Sequence, residues 1–162
     1  MAKHSPSNYL DIGNLGEDLT VQWLVSQGWI ILHRQWHSRW GEIDIIAEYT
    51  NPENGTYPPQ LPILAFVEVK TRSQGSWDRG GRDAIANTKQ MKIYRTAQAF
   101  ISKYPEKAAY TCRFDVALVN YALLTDTSRN DNSYQKLISQ AINNYYLCLQ
   151  EYIPDAFNSP TE

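Results

Sequence analysis

No stretch of this 162-residue sequence stays apolar for the roughly 20 residues that a membrane-spanning helix needs. Its opening, Met1-Ala2-Lys3-His4-Ser5-Pro6-Ser7, lacks the apolar core of a secretory signal. Together these absences predict a cytoplasmic protein. Cysteine is scarce: Cys112 and Cys148 stand far apart without metal-ligand spacing. In a reducing compartment they read as small buried side chains rather than as a disulfide. Net charge is scarce as well, at −2, so no whole-chain excess of positive charge points to a nucleic-acid partner. Internal repeats and low-complexity tracts are absent too.

What is present is an ordinary apolar share with five Trp and eleven Tyr, enough for one folded core. Residues 1–162 read as a single domain: a core over about 10–121, a variable insertion over about 122–144, and a C-terminal edge segment over 145–157. Charge that cancels over the chain is locally uneven. Lys70, Arg72, Arg79, Arg82, Lys89, Lys92 and Arg95 are opposed there only by Asp78 and Asp83, a basic cluster of the kind that meets phosphates.

Asp11 is a good N-cap for a first helix ending at Gly28, with Ile12, Leu15, Leu19 and Trp23 as its buried stripe and Glu17 and Leu24 at the stripe's edge. Trp29–Trp36 and Glu42–Tyr49 read as strands joined by a turn around Ser38–Gly41. Pro and Gly mark a loop after Asn51. Ile63–Thr71 is the most apolar strand and is expected at the sheet's centre. A glycine-rich loop over Arg72–Arg82 leads to a helix from about Asp83 to Lys103, with Ala86, Ile93, Ala97 and Phe100 facing inward. Cys112–Asn120 reads as a fourth strand and Tyr145–Gln150 as an edge strand. The order αβββαβ predicts an α/β fold with a central mixed sheet flanked by helices.

Two strands carry charge where it is costly. In Gly41-Glu42-Ile43-Asp44-Ile45-Ile46, alternation places Asp44 with Glu42 and Ile46, and Ile43 with Ile45 on the other face. In Phe66-Val67-Glu68-Val69-Lys70-Thr71, Glu68 and Lys70 share a face. Buried charges need partners, and a buried ion pair is a poor source of stability. Two carboxylates and a lysine on neighbouring strands instead suit a Mg²⁺ site completed by a backbone carbonyl and waters. Lys70 would hold or deprotonate an attacking water there.

These motifs occur together with Gly13-Asn14-Leu15-Gly16-Glu17, Lys89, Arg113-Phe114-Asp115-Val116 and Ile153-Pro154-Asp155-Ala156-Phe157. In that combination the chain resembles the YraN-like family of the restriction-endonuclease-like (PD-(D/E)XK nuclease) superfamily. The resemblance implies a Mg²⁺-dependent endonuclease, with Mn²⁺ as a substitute, cleaving DNA that includes structured or branched forms. It makes Asp44 and Glu68 metal ligands and Lys70 the catalytic lysine. Glu17 becomes a further acidic ligand or an orienting partner of Lys70. By analogy, a homodimer would let two sites cut two strands. The Pro-rich loop and the extension over Tyr121–Asn144 depart from the usual pattern without touching these positions.

Arg72, Arg79, Arg82 and Lys89 follow the metal strand and are expected to grip the nucleic-acid backbone, whereas Lys92 and Arg95 read as solvated. His33 and His37, about 13 Å apart on one strand, are too distant for a shared zinc and read as surface or turn residues. Trp36, Trp40 and Trp77 flank the site and suit either base stacking or packing. Arg113 and Asp115 read as a structural pair on the fourth strand, with Asp115 facing the site as the alternative. The rival reading is a non-catalytic nucleic-acid-binding or adaptor module that retains the scaffold.

Overall fold

A strand that is apolar at successive positions, as Ile63–Val67 is, must be covered on both faces, and one helix on each side provides the cover. The computed structural model of the chain describes residues 8–50, 61–73, 85–125 and 137–159. In order these form α1 (Asn8–Ser26), β1 (Ile30–Ser38), β2 (Gly41–Tyr49), β3 (Ile63–Ser73), α2 (Asn87–Lys103), β4 (Thr111–Leu123), β5 (Ile138–Ile142) and β6 (Tyr145–Phe157), with a short 3₁₀ turn at Pro105–Lys107. The six strands make one sheet ordered β1-β2-β3-β4-β6-β5. Only β3 and β4, linked through α2, run parallel; the other neighbours are antiparallel. The architecture is the expected α/β mixed sheet and is compatible with a restriction-endonuclease-like fold.

The core divides at the sheet. Ile43, Ile46, Leu64, Phe66 and Phe114 pack under α2 with Ile93, Ala97 and Phe100. Ile45, Ala47, Ala65, Val67, Val119 and Leu149 pack under α1 with Leu19 and Leu24. Leu24 is therefore fully buried rather than at the edge of the stripe. The reason is Gly16 and Thr20, both buried. Their small side chains let α1 roll toward the side that carries Leu24 and Glu17, and the roll brings Glu17 to 4% exposure.

Gly16 fixes that seating. A Cβ here would lie 2.1 Å from Thr71 Oγ1 and 3.2 Å from Thr71 Cβ. Alanine would help the isolated helix by about 1 kcal/mol, but overpacking costs typically ~1–3 kcal/mol. Gly16→Ala is expected to lower the urea midpoint, and adding Thr71→Ala, which removes the nearest atom, should recover most of the loss. A Gly16→Ala protein as stable as wild type would contradict this packing.

Several boundaries differ from the sequence expectation. α1 starts at Asn8, three residues before Asp11. α2 starts at Asn87, because Ala86 is extended (ψ 151°), exposed and without a side-chain cap, so Ala86 is not on the buried face. β3 continues to Ser73, making Arg72 a strand residue. The C-terminal segment is not an edge: β6 lies between β4 and β5, and β5, drawn from the end of the expected insertion, is the edge strand. The Pro-rich loop over 51–60, most of the glycine-rich loop and residues 126–136 of the expected insertion lie outside the described residues. No described helix is long and apolar enough to cross a membrane.

Candidate active site

The β2–β3 ladder stops at the pair Ile45↔Val67. One residue beyond, Asp44 takes over with its side chain: Oδ2 accepts the Val69 N–H at 2.8 Å. The simple alternation expected of β2 breaks at the same point. Ile43 packs with Ile46 beneath α2, whereas Ile45 faces α1, so Ile43 and Ile45 do not share a face. Across β1, Gln35 falls between the pairs Arg34↔Ile45 and Trp36↔Ile43, opposite Asp44. Its φ of 49° is left-handed, a conformation that costs a non-glycine residue about 1–3 kcal/mol. Strain and a parted ladder thus coincide at one place.

The gap is a cleft of about 420 Å³ lined by Asp44, Glu68, Lys70, Arg72, Glu17 and Lys89, among others. The structure therefore brings together six of the eight site residues expected from sequence; Arg79 and Arg82 lie outside the described residues. Glu68, 4% exposed, is the hub. Its Oε1 receives Lys89 Nζ at 2.7 Å and Lys70 Nζ at 3.5 Å. Lys89, expected as a backbone grip, thus also reaches a carboxylate inside the cleft. Glu17 does not pair with Lys70. Its Oε1 accepts Arg34 Nε at 3.0 Å and its Oε2 accepts Gln35 Nε2 at 3.3 Å, while Arg34 Nη2 holds Asp18 at 2.6 Å.

Electrostatics follow from this crowding. Burial, then the like charge of Glu68, pushes Asp44 up to about 7, against the pull of the Val69 N–H. Burial lowers Lys70, with Lys89 and Arg72 adding to the fall and Glu68 opposing it. Burial also works against the Lys89 ammonium, but its hydrogen bond and charge contact with Glu68 prevail and raise it. Among the described residues no three His, Cys, Asp or Glu side chains gather to cage an ion. Two hard carboxylates in an open cleft fit Mg²⁺, which keeps waters and borrows phosphate oxygens; they do not fit a closed zinc site.

Sequence reasoning missed Arg34 and Gln35, which hold Glu17. Their only signal was a polar pair amid the apolar positions of β1. Other candidates settle outside the cleft. Trp36 packs edge-on against Phe100 within the core. His33 lies in β1, half-buried against Phe100 and Tyr104 rather than on a turn. His37 meets Glu42. Cys148 is buried but Cys112 is exposed, because it sits at the start of β4 before the strand enters the core. Asp115 pairs with Val67, not Glu68, across the β3–β4 ladder. It is fully buried and accepts from Arg113, the Tyr152 hydroxyl and the Asp155 N–H, the structural pair that was expected.

A family model described as "Uncharacterised protein family UPF0102" matches residues 16–119. The chain belongs to UPF0102. This is the YraN-like family to which the motifs pointed. A UPF0102 protein of Trichormus variabilis is 53% identical, with 93% of this chain and 96% of the relative aligned. One from Nostoc sp. is 56% identical over the same shares. One from Synechocystis sp. is 40% identical over 91% of this chain and 97% of its own length. The UPF0102 match, from position 16 into β4, contains all six cleft residues named above.

Proposed function

We propose that the chain is a Mg²⁺-dependent endonuclease that hydrolyses phosphodiester bonds in DNA, structured or branched DNA included. One observation carries this reading: Asp44 replaces a ladder partner at the parted end of β2 and β3, in a cleft shared with Glu68 and Lys70. Asp44 and Glu68 would hold the ion. When bound, Mg²⁺ supplies Lewis-acid polarisation of a phosphate oxygen and acidification of water. Lys70, whose burial favours the neutral amine, would take a proton from the attacking water or, when charged, offset charge on the phosphorane. Lys89 and Arg72 offer positive charge to the phosphate. Glu17, fixed by Arg34 and Gln35, adds negative field beside Asp44, whose carboxyl it helps to raise.

The test begins with calorimetry. Mg²⁺ or Mn²⁺ titrated into wild type should give a binding heat that Asp44→Ala abolishes. Both proteins are then incubated with linear duplex, single-stranded and four-way-junction DNA, and cleavage is expected from wild type alone. Metal binding with no cleavage across the panel would favour a non-catalytic binding module on the same scaffold. No metal heat at all would end the proposal.

A further inference from the structure

A second cationic feature lies outside the cleft, at the tip of the β1–β2 hairpin. Trp40 is displayed there at 38% exposure, and its indole is approached by Arg39 Cζ at 4.6 Å and Arg95 Cζ at 4.7 Å from the ring centroid. The tip is fastened to α2. Ser38 Oγ donates to Thr96 Oγ1 at 3.1 Å, the Trp40 N–H donates to Ser38 Oγ at 3.0 Å, and Thr96 is fully buried. Gly41, at φ +148°, sits against Lys92. The indole is therefore a fixed surface element rather than part of a loose turn.

Charge on this ridge is uncompensated. Glu42, the nearest acidic residue in the hairpin, is engaged by His37 at 3.3 Å. Neither Arg39 nor Arg95 has a carboxylate partner among the described residues. Two guanidiniums held against one ring repel each other unless an anion joins them. The ridge also leads to the cleft: Lys89, Lys92 and Arg95 follow one another at three-residue spacing along α2, and Lys89 ends on Glu68. At 1.5 Å per residue, Lys89 and Arg95 are about 9 Å apart along the helix.

We infer that Lys92, Arg95, Trp40 and Arg39 form a binding ridge for an unpaired DNA strand next to the cleft, with a base stacked on the indole–guanidinium platform. This deepens the proposed function and rests on the cleft acting on nucleic acid. The choice of an unpaired strand comes from the indole. Duplex bases are already stacked and offer only phosphates to a surface, whereas an unpaired base has a free face for an aromatic ring. The solvated role expected for Arg95 is thereby replaced by a stacked one.

Anisotropy of a fluorescein-labelled 20-nucleotide single strand and of the matching duplex, in EDTA to prevent cleavage, tests the inference. Trp40→Ala is expected to weaken single-strand binding by roughly 10-fold or more while changing duplex binding less than about twofold, and Trp40→Phe should retain most of the affinity. Arg39→Gln with Arg95→Gln, both on exposed side chains, should weaken both ligands and flatten the salt dependence by about one to two counterions. This pair decides the matter if Trp40→Ala disturbs the hairpin. Unchanged single-strand binding in Trp40→Ala, or equal losses on single strand and duplex, would overturn the ridge. So would wild type that binds neither. Cleavage by wild type with Trp40→Ala silent in binding would remove the ridge and leave the nuclease. A Trp40 effect without metal heat or cleavage would keep the ridge and remove the nuclease.

Discussion

Glu68→Gln is expected to lower DNA cleavage by about 10³-fold or more, roughly 4 kcal/mol of transition-state stabilisation, and to erase the Mg²⁺ binding heat in a protein that still folds. Glu68 is 4% exposed, and two ammonium groups share its Oε1 at 2.7 and 3.5 Å. Removing its charge therefore does two things. It takes away one of two hard donors, and it relieves the repulsion that helps to push Asp44 up. Lys89 keeps Asp44 as a counter-charge, so the unpaired-cation penalty of a broken buried pair is softened. Lys70→Met separates the roles: cleavage should fall by about 10²–10⁴-fold, the range for a lost general acid–base group, while the metal heat persists. A Glu68→Gln protein that aggregates would make the carboxylate a structural tie for the lysines. One that cleaves normally would place the chemistry elsewhere.

The cleft was readable from sequence because its charges interrupt apolar strands. Asp44 and Glu68 stand out against isoleucine and valine, and alternation gave Glu68 and Lys70 a common side. The order of apolar and polar residues also gave the two helices and the central place of β3, since a strand apolar at successive positions has few other homes in a mixed sheet. What escaped was whatever depends on tertiary packing. The roll of α1 onto Thr71 follows from Gly16 lacking a Cβ, and an amphipathic stripe drawn on a helical wheel does not show it. The break at Asp44, which puts Ile43 under α2, arises where one ladder ends and Gln35 on the other side turns left-handed. Arg34 and Gln35 looked like ordinary strand polars until Glu17 came to rest on them. Tyr145–Gln150 reads as an edge strand, and only the pairing of β6 with β5 makes it interior. Lys89 was placed correctly on the second helix but assigned only to phosphate, because its reach to Glu68 depends on where α2 begins.

Asp44→Asn is expected to raise the melting temperature of the metal-free protein by about 5–10 °C at pH 8 and to give no gain near pH 4. The Asp44 carboxyl moves from its ordinary 3.8 up to about 7 on folding, burial being the largest cause and Glu68 the next. Between those values the unfolded chain has released the proton that the folded chain still holds, so stability falls as pH rises through this window. Above about 7 both states are ionised and the cost is complete, at ~1.4 kcal/mol per unit or roughly 4 kcal/mol. Below 3.8 both are protonated and nothing is lost. Asparagine is neutral throughout, and its carbonyl can still accept the Val69 N–H that Oδ2 accepts at 2.8 Å, so it escapes the penalty without breaking the local structure. A gain of about 2–3 kcal/mol corresponds to the stated shift for a chain of this size. Saturating Mg²⁺ should close or reverse the gap, because only the wild type gains binding free energy, and wild-type metal affinity should weaken as pH falls below about 7, where Asp44 takes up its proton. Thermal melts at both pH values, with EDTA and with Mg²⁺, read all of this from two proteins. Equal melting temperatures at every pH, or an asparagine variant that is less stable at pH 8, would mean that Asp44 is not a carboxylate held at a cost for the cation it would bind.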